Sequence, residues 1–233
     1  MNLTRIISLK GEFEAEGLTR DSVAAEAAWA ARHGLPYLVK IGGCEAKSDM
    51  RFLMMQGIDS IVAPMIESAF AMRKYQEMLP DGAFNHVGVT IETVTAVERI
   101  EAILDAGSKL SEVTVGRSDL TASFGGSGVN CPETISMVKT VARAARARGL
   151  KTTMGGTINT ETVNLLLGDG ELRDLVACVE TRKCVMSVEK FLEPDALMDA
   201  FAVETVLLDM QIAYYGEIGN AAHARASVLR ERL

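Results

Sequence analysis

Residues 86–105 read HVGVTIETVTAVERIEAILD, and residues 112–125 read EVTVGRSDLTASFG. The first run opens on alternating β-branched residues, the pattern of a short strand over residues 86–91. Its period then changes. Val97, Ile100, Ile103 and Leu104 fall on one face at helical spacing, which predicts a helix over residues 94–105. Residues 112–115 return to the strand pattern. Strand, helix and strand within about thirty residues make a βαβ unit, whose two strands run parallel. Two acids follow these strands: Glu92 after the first and Asp119 after the second.

The same rhythm extends in both directions. Residues 6–9, 36–41, 60–63, 151–154, 175–179 and 184–188 read as further strands, making eight in all. Helices are predicted over residues 19–33, 45–56, 68–79, 132–148 and 160–167. Thr19 is placed to cap the first, Gly34 and Gly57 stop the first two, and Pro132 suits a first helical position. Residues 117–130 read as a long Gly-rich loop. Alternating strands and helices imply parallel pairing with right-handed crossovers, and eight such units close into a (β/α)₈ barrel. No linker or low-complexity segment interrupts residues 1–233, so one α/β barrel domain is expected. Residues 195–215 and 220–233 add a helical extension beyond what the eighth unit needs. That extension packs either on its own barrel or on a neighbouring subunit.

Composition narrows the function. The chain has 233 residues, 48% of them hydrophobic, and a formal net charge of −7. An acidic chain has no basic excess to neutralise phosphates, which argues against nucleic-acid binding. Aromatic residues are 5% of the chain, too few to suggest stacking platforms for bases. Cys44, Cys131, Cys178 and Cys184 form no CxxC pair, and there are three His, so a structural zinc site is not expected. The opening MNLTRIISLKGEFEAEG has no long apolar stretch behind its basic residues, and no window reaches the length of a membrane span. The expectation is a cytoplasmic protein with free thiols and no membrane partner.

Barrel enzymes carry their chemistry on the loops after the strands. Polar residues at those points include Lys10, Glu12, Glu14 and Glu16 after the first strand, Lys40 after the second, and Glu67 after the third. Glu92 follows the fourth, Gly116-Arg117-Ser118-Asp119 the fifth, and Glu180-Thr181-Arg182-Lys183 the seventh. Glu92 and Asp119 lie on adjacent strands and can together hold Mg²⁺ or Mn²⁺, which prefer oxygen ligands and keep positions open for substrate. Backbone N–H groups over residues 116–119 can cradle a carboxylate. Lys40 and Arg182 suit an anionic substrate or an enolate oxygen. Plainer readings stand beside these. Glu92 can be a helix-start acid, Asp119 a cap, and Lys40 and Arg182 structural partners of Glu12 and Glu180.

The stretches IVAPMIESAFAMRKY (61–75), VGVTIETVTAVERIEAIL (87–104) and EVTVGRSDLTASFG (112–125) resemble the HpcH/HpaI aldolase and citrate-lyase β-subunit family. The resemblance runs from about Leu38 to Gly125, with "IET" and "G-x-x-D-L…FG" as its most specific marks. It implies a (β/α)₈ barrel with a divalent metal that makes or breaks carbon–carbon bonds through a pyruvate-like or acyl-CoA enolate. Glu92 and Asp119 match the metal ligands. Gly116, Ser118 and Asp119 match the segment whose amides hold a keto-acid carboxylate. Lys40 stands where the pyruvate aldolases carry an enolate-stabilising Arg. C-terminal helices exchanged between subunits are common in the family, so a homo-oligomer is expected.

This chain departs from the pattern in two places. The aldolases' Gly-Glu-His run is here Gly11-Glu12-Phe13, and the Asp that serves that His falls near Met55, so both members of the base dyad are missing. Glu12, Glu14 or a metal-bound water is left as base. Residues 179–184 bring charge where the aldolases are neutral, which suggests a more anionic substrate. Three functions remain open: a metal-dependent lyase or aldolase on a 2-oxo acid, with Lys40, Glu12 and Arg182 as its catalytic groups; an acyl-CoA lyase of the citryl- or malyl-CoA type; and a barrel that has stopped catalysing and serves as a subunit or ligand sensor.

Overall fold

A computed structural model describes residues 1–230. Eight strands close into one barrel in sequence order: β1 Ser8–Glu12, β2 Tyr37–Lys40, β3 Ser60–Ala63, β4 His86–Ile91, β5 Glu112–Gly116, β6 Lys151–Gly155, β7 Cys178–Glu180 and β8 Cys184–Ser187. Around them lie α1 Arg20–Arg32, α2 Lys47–Met55, α3 Ala69–Met78, α4 Val94–Glu98, α5 Ile100–Asp105, α6 Arg117–Ser123, α7 Pro132–Arg146, α8 Thr160–Gly168, α9 Gly170–Leu175, α10 Val188–Phe191 and α11 Ala196–Arg230. Thr19, Ser68, Thr93, Asn159 and Asp169 each cap the following helix through a side-chain oxygen, satisfying N–H groups that the first turn leaves without partners.

The eight-stranded α/β barrel is as expected, but its last strand runs the other way. β1 to β7 pair in parallel, whereas β8 is antiparallel to both β7 and β1. The cause is the connection. Only Thr181, Arg182 and Lys183 separate Glu180 from Cys184. A parallel crossover needs about a dozen residues, while three suffice for a hairpin. β8 therefore descends from the mouth, and α11 climbs back outside the barrel. Its start lies against the N-terminus, where Asp199 accepts from Asn2 N at 2.7 Å and pairs with Arg5. Further along, the Tyr215 hydroxyl lies 2.6 Å from Thr19 Oγ1 at the head of α1.

Other boundaries differ from the sequence reading. β1 begins two residues later than expected and so carries Lys10 and Glu12 on the strand itself. The segment expected as a loop after β5 begins with α6. The helix over residues 94–105 is broken at Arg99, and the seventh strand starts at Cys178 because Leu175 ends a helix. The two expected C-terminal helices are one, through Gly216 and Gly219. Residues 231–233 of the expected extension lie outside the described residues.

Strand residues alternate between two environments. Val39, Ile61, Val89, Ile91, Val113, Val115, Met154 and Val179 are fully buried against the helix layer. The intervening positions turn into the barrel, and many are polar: Lys10, Glu12, Lys40, Thr90, Glu92, Glu112, Thr114, Thr153 and Glu180, all buried. Barrel interiors are dominated by branched apolar side chains, so this one is unusually charged.

Candidate active site

The upper part of that polar interior opens into a cavity of about 350 Å³ at the carboxyl ends of the strands. Glu12, Lys40, Glu92, Gly116, Ser118, Asp119 and Arg182 line it, joined by Lys10, Gly156, Thr157 and Glu180, and by Phe201 and Glu204 from α11.

Close approaches to glycine shape its walls. A Cβ on Gly116 would lie 2.8 Å from Cγ and 2.9 Å from Oε1 of Glu92, so only glycine lets that carboxylate lie across β5. Gly155 gives Glu180 the same room, with 2.9 Å to Oε1. At Gly156 the backbone is left-handed (φ 82°), and a Cβ would meet Ser118 N at 2.5 Å.

Two lysines organise the charges. Lys10 Nζ lies 2.6 Å from Glu12 Oε1 and 2.5 Å from Glu180 Oε1. Burial works against its charge, but Glu180 and Glu12 outweigh burial and hold Lys10 above its ordinary value. Burial likewise opposes the Glu12 anion, yet Lys10, then Lys40 and Arg182, keep Glu12 below the usual carboxylate value. Lys40 Nζ lies 3.0 Å from Glu92 Oε1 and 3.1 Å from Glu14 Oε2. Burial lowers Lys40, and Glu92 and Glu12 more than offset it. Burial lifts Glu92, against the pull of Lys40 and with a further push from Asp119.

Arg117 is placed differently from its neighbours. Its side chain is fully buried and does not line the cavity, whereas the expectation for residues 116–119 concerns their backbone N–H groups. Its guanidinium donates to Gly155 O at 3.0 Å, Gly156 O at 2.8 Å and Asn130 Oδ1 at 2.6 Å. It fastens the loop after β6 to the head of α6, and burial lowers it to about 10. Ser118 and Asp119 stay exposed at the mouth, and Ser118 Oγ lies 3.1 Å from Thr157 Oγ1.

Phe13 and Met55 bring no titratable group to the site. Phe13 packs edge-on against Phe52 at 6.2 Å, and Met55 is 84% exposed on α2. No histidine among the described residues lines the cavity. His33 stacks on Trp29, and His86 sits at the opposite end of the barrel beside Glu112. The sequence alone gives Lys10 no role and Glu180 only that of a structural ion-pair partner. Their strand parity, shared with Glu12 and Cys178, was the signal that they face inward.

Among the described residues no group of three or more His, Cys, Asp or Glu side chains is arranged to hold a metal ion. A cation between Glu92 and Asp119 would thus have two protein carboxylates. Mg²⁺ suits that donor set, because it commonly takes one or two carboxylates and fills its octahedron with water and substrate. The fit comes with one complication: the Lys40 ammonium already sits on Glu92.

A closed α/β barrel with convergent carboxylates and lysines at its strand ends belongs to the barrel class that hosts enzymes at that face. The chain belongs to the HpcH/HpaI aldolase/citrate lyase family, whose sequence model matches residues 39–172, more than half of its length. Solved structures agree on the fold. An HpcH/HpaI aldolase from Desulfitobacterium hafniense DCB-2 is 17% identical with a TM-score of 0.60, over 84% of this chain and 82% of that one. An HpcH/HpaI aldolase/citrate lyase family protein from Burkholderia cenocepacia J2315 is 15% identical with a TM-score of 0.61, over 87% and 84%. The citrate synthase SbnG is 14% identical with a TM-score of 0.60, over 70% and 73%. No curated protein matches the sequence. No helix among the described residues is long and apolar enough to cross a membrane.

Proposed function

We propose that this chain is a divalent-metal-dependent carbon–carbon lyase or aldolase acting on a small anionic 2-oxo acid through its enolate, in the cytoplasm. The observation that carries the reading is the gathering of Glu92, Asp119, Gly116 and Lys40 on one cavity. Membership of a family of aldolases and citrate lyases supports it. Mg²⁺ or Mn²⁺ held by Glu92 and Asp119 supplies a Lewis acid for the substrate carbonyl. The protein does the rest. Backbone N–H groups at Ser118 and Asp119 receive the substrate carboxylate, and the Lys40 ammonium faces the oxygen on which enolate charge develops. Glu12, kept ionised chiefly by Lys10, takes the proton from the carbon next to the carbonyl. Arg182, exposed on the β7–β8 hairpin, meets a second anionic group. The carbanion so formed adds to a second carbonyl, whose oxygen takes the proton back from Glu12; cleavage is the reverse.

The test is deuterium exchange into the methyl group of pyruvate, read by proton NMR with and without Mg²⁺ or Mn²⁺. Exchange that needs the metal and disappears in Glu92→Ala is expected. A metal-loaded protein that exchanges nothing would point to a larger or CoA-linked substrate, or to a barrel without catalysis.

We further infer a homo-oligomer formed through α11, where Leu208, Ile212, Tyr214 and Ile218 are 44–70% exposed. A sedimentation profile with the mass of one chain would remove that part of the reading.

A further inference from the structure

A buried carboxylate without a counter-charge is costly, and a cation-binding carboxylate faces that cost whenever its cation is away. Glu92 is 4% exposed, and Lys40, 5% exposed, answers its charge at 3.0 Å. The same ammonium lies 3.1 Å from Glu14. The two partners differ. Glu92 is fixed across Gly116 on the barrel wall, whereas the Glu14 side chain is 41% exposed on the segment between β1 and α1. One lysine thus holds two carboxylates at nearly equal distance, one inside the site and one at its rim.

We propose that Lys40 is the resident counter-ion of Glu92 and competes directly with the divalent cation for it, and that Glu14 holds the ammonium when the cation is bound and the substrate anion is absent. This rests on the reading of Glu92 and Asp119 as metal ligands. A lysine suits the task because its charge is compact and its stem flexible, so a small rotation moves the ammonium from one acid to the other. An arginine fork would hold its carboxylate with two bonds and exchange less readily. Metal affinity is then set by the competition as much as by the two carboxylates. The competition also couples the ligands. An anion that draws Lys40 away from Glu92 strengthens cation binding, and by linkage the cation strengthens anion binding by the same factor.

The experiment is Mn²⁺ binding to the full-length protein, followed by the electron paramagnetic resonance signal of free Mn²⁺. Lys40→Met is expected to tighten Mn²⁺ binding by about tenfold, the scale on which outer-shell partners tune metal sites. Glu14→Gln is expected to weaken it by about threefold, as loss of a half-exposed ion-pair partner would, and to change nothing in the Lys40→Met background. Pyruvate should tighten Mn²⁺ binding more in the native protein than in Lys40→Met. Affinity that is unchanged or weaker in Lys40→Met overturns the proposal. Should that variant fail to fold, Glu14→Gln decides alone, and native affinity there overturns it. Mn²⁺ binding that survives Glu92→Ala overturns both this inference and the metal reading beneath it, a result distinct from the loss of competition alone.

Discussion

At the β4–β5 edge of the mouth, Glu92 keeps one lysine, and Asp119 stands exposed with no ion pair among the described residues. Across the barrel, where β7, β8 and β1 meet, every buried cation is held twice. Lys10 bridges Glu12 and Glu180. Lys183, fully buried, bridges Glu16 at 2.5 Å and Glu26 at 2.8 Å. Glu26 also accepts from the Tyr37 hydroxyl at 2.7 Å and from Gln211 of α11 at 2.8 Å. This doubly bridged edge fastens the reversed strand and the long helix to the barrel. The β4–β5 edge leaves the Asp119 oxygens open, where the proposed cation would bind. In the proposed reading, charge alone does not mark the cation site; an exposed carboxylate without an ion pair among the described residues, Asp119, does.

Lys183→Met should produce the largest change in stability. It leaves Glu16 and Glu26 buried without their cation, a loss that typically costs about 3–5 kcal/mol. The lower end is expected, because Tyr37 and Gln211 still donate to Glu26 and Glu16 can take a proton. Thermal unfolding should shift down by roughly 10 °C. A shift no larger than an exposed ion pair gives would erase the contrast between the two edges.

Glu16 sharpens the comparison through pH. Burial, only partly offset by Lys183, raises its carboxyl from 4.5 to about 7, and its Oε1 has no hydrogen-bond partner. The folded state thus binds this proton more tightly than the unfolded chain. The stabilisation is complete below pH 4.5 and is lost as pH rises through about 7. Discounted for partial exposure, roughly 1–2 kcal/mol should disappear across that window. Unfolding curves of the native chain and Glu16→Gln, compared over the window, should show the steeper decline in the native chain. Equal slopes would mean that Lys183 keeps Glu16 ionised throughout.

The two edges were not equally legible in the sequence. The β4–β5 edge is built from residues close in the chain, so the strand–helix–strand period and the acids after each strand placed Glu92 and Asp119 together. Eight strands followed from the same rhythm. The reversal of β8 did not, although the expected bounds of 175–179 and 184–188 already leave four residues between the two strands, too few for a parallel crossover; the regular alternation of the preceding units masks that signal. The doubly bridged edge depends on pairs far apart in sequence, such as Lys10 with Glu180 and Lys183 with Glu26, and no local period reports them. Arg117 shows the same limit: nothing local reports that its side chain is held by the carbonyls of Gly155 and Gly156, out of the cavity.

Arg182 tests the contrast at its finest grain, since it is the neighbour of Lys183 with the opposite circumstances. The hairpin geometry does not depend on its side chain. Thr181 N donates to Cys184 O at 2.9 Å, and Cys184 N donates to Thr181 Oγ1 at 3.1 Å. Arg182 is exposed, lines the cavity and makes no ion pair among the described residues. Arg182→Ala should therefore leave stability within about 0.5 kcal/mol of native. The half-saturating concentration of the 2-oxo acid in the exchange assay should rise by about tenfold, the loss of one charge-assisted hydrogen bond. A clear fall in melting temperature would make Arg182 part of the fastening like Lys183. An unchanged half-saturation with native stability would place the second anionic group elsewhere on the mouth, with Lys40 and the Ser118–Asp119 amides as its remaining partners.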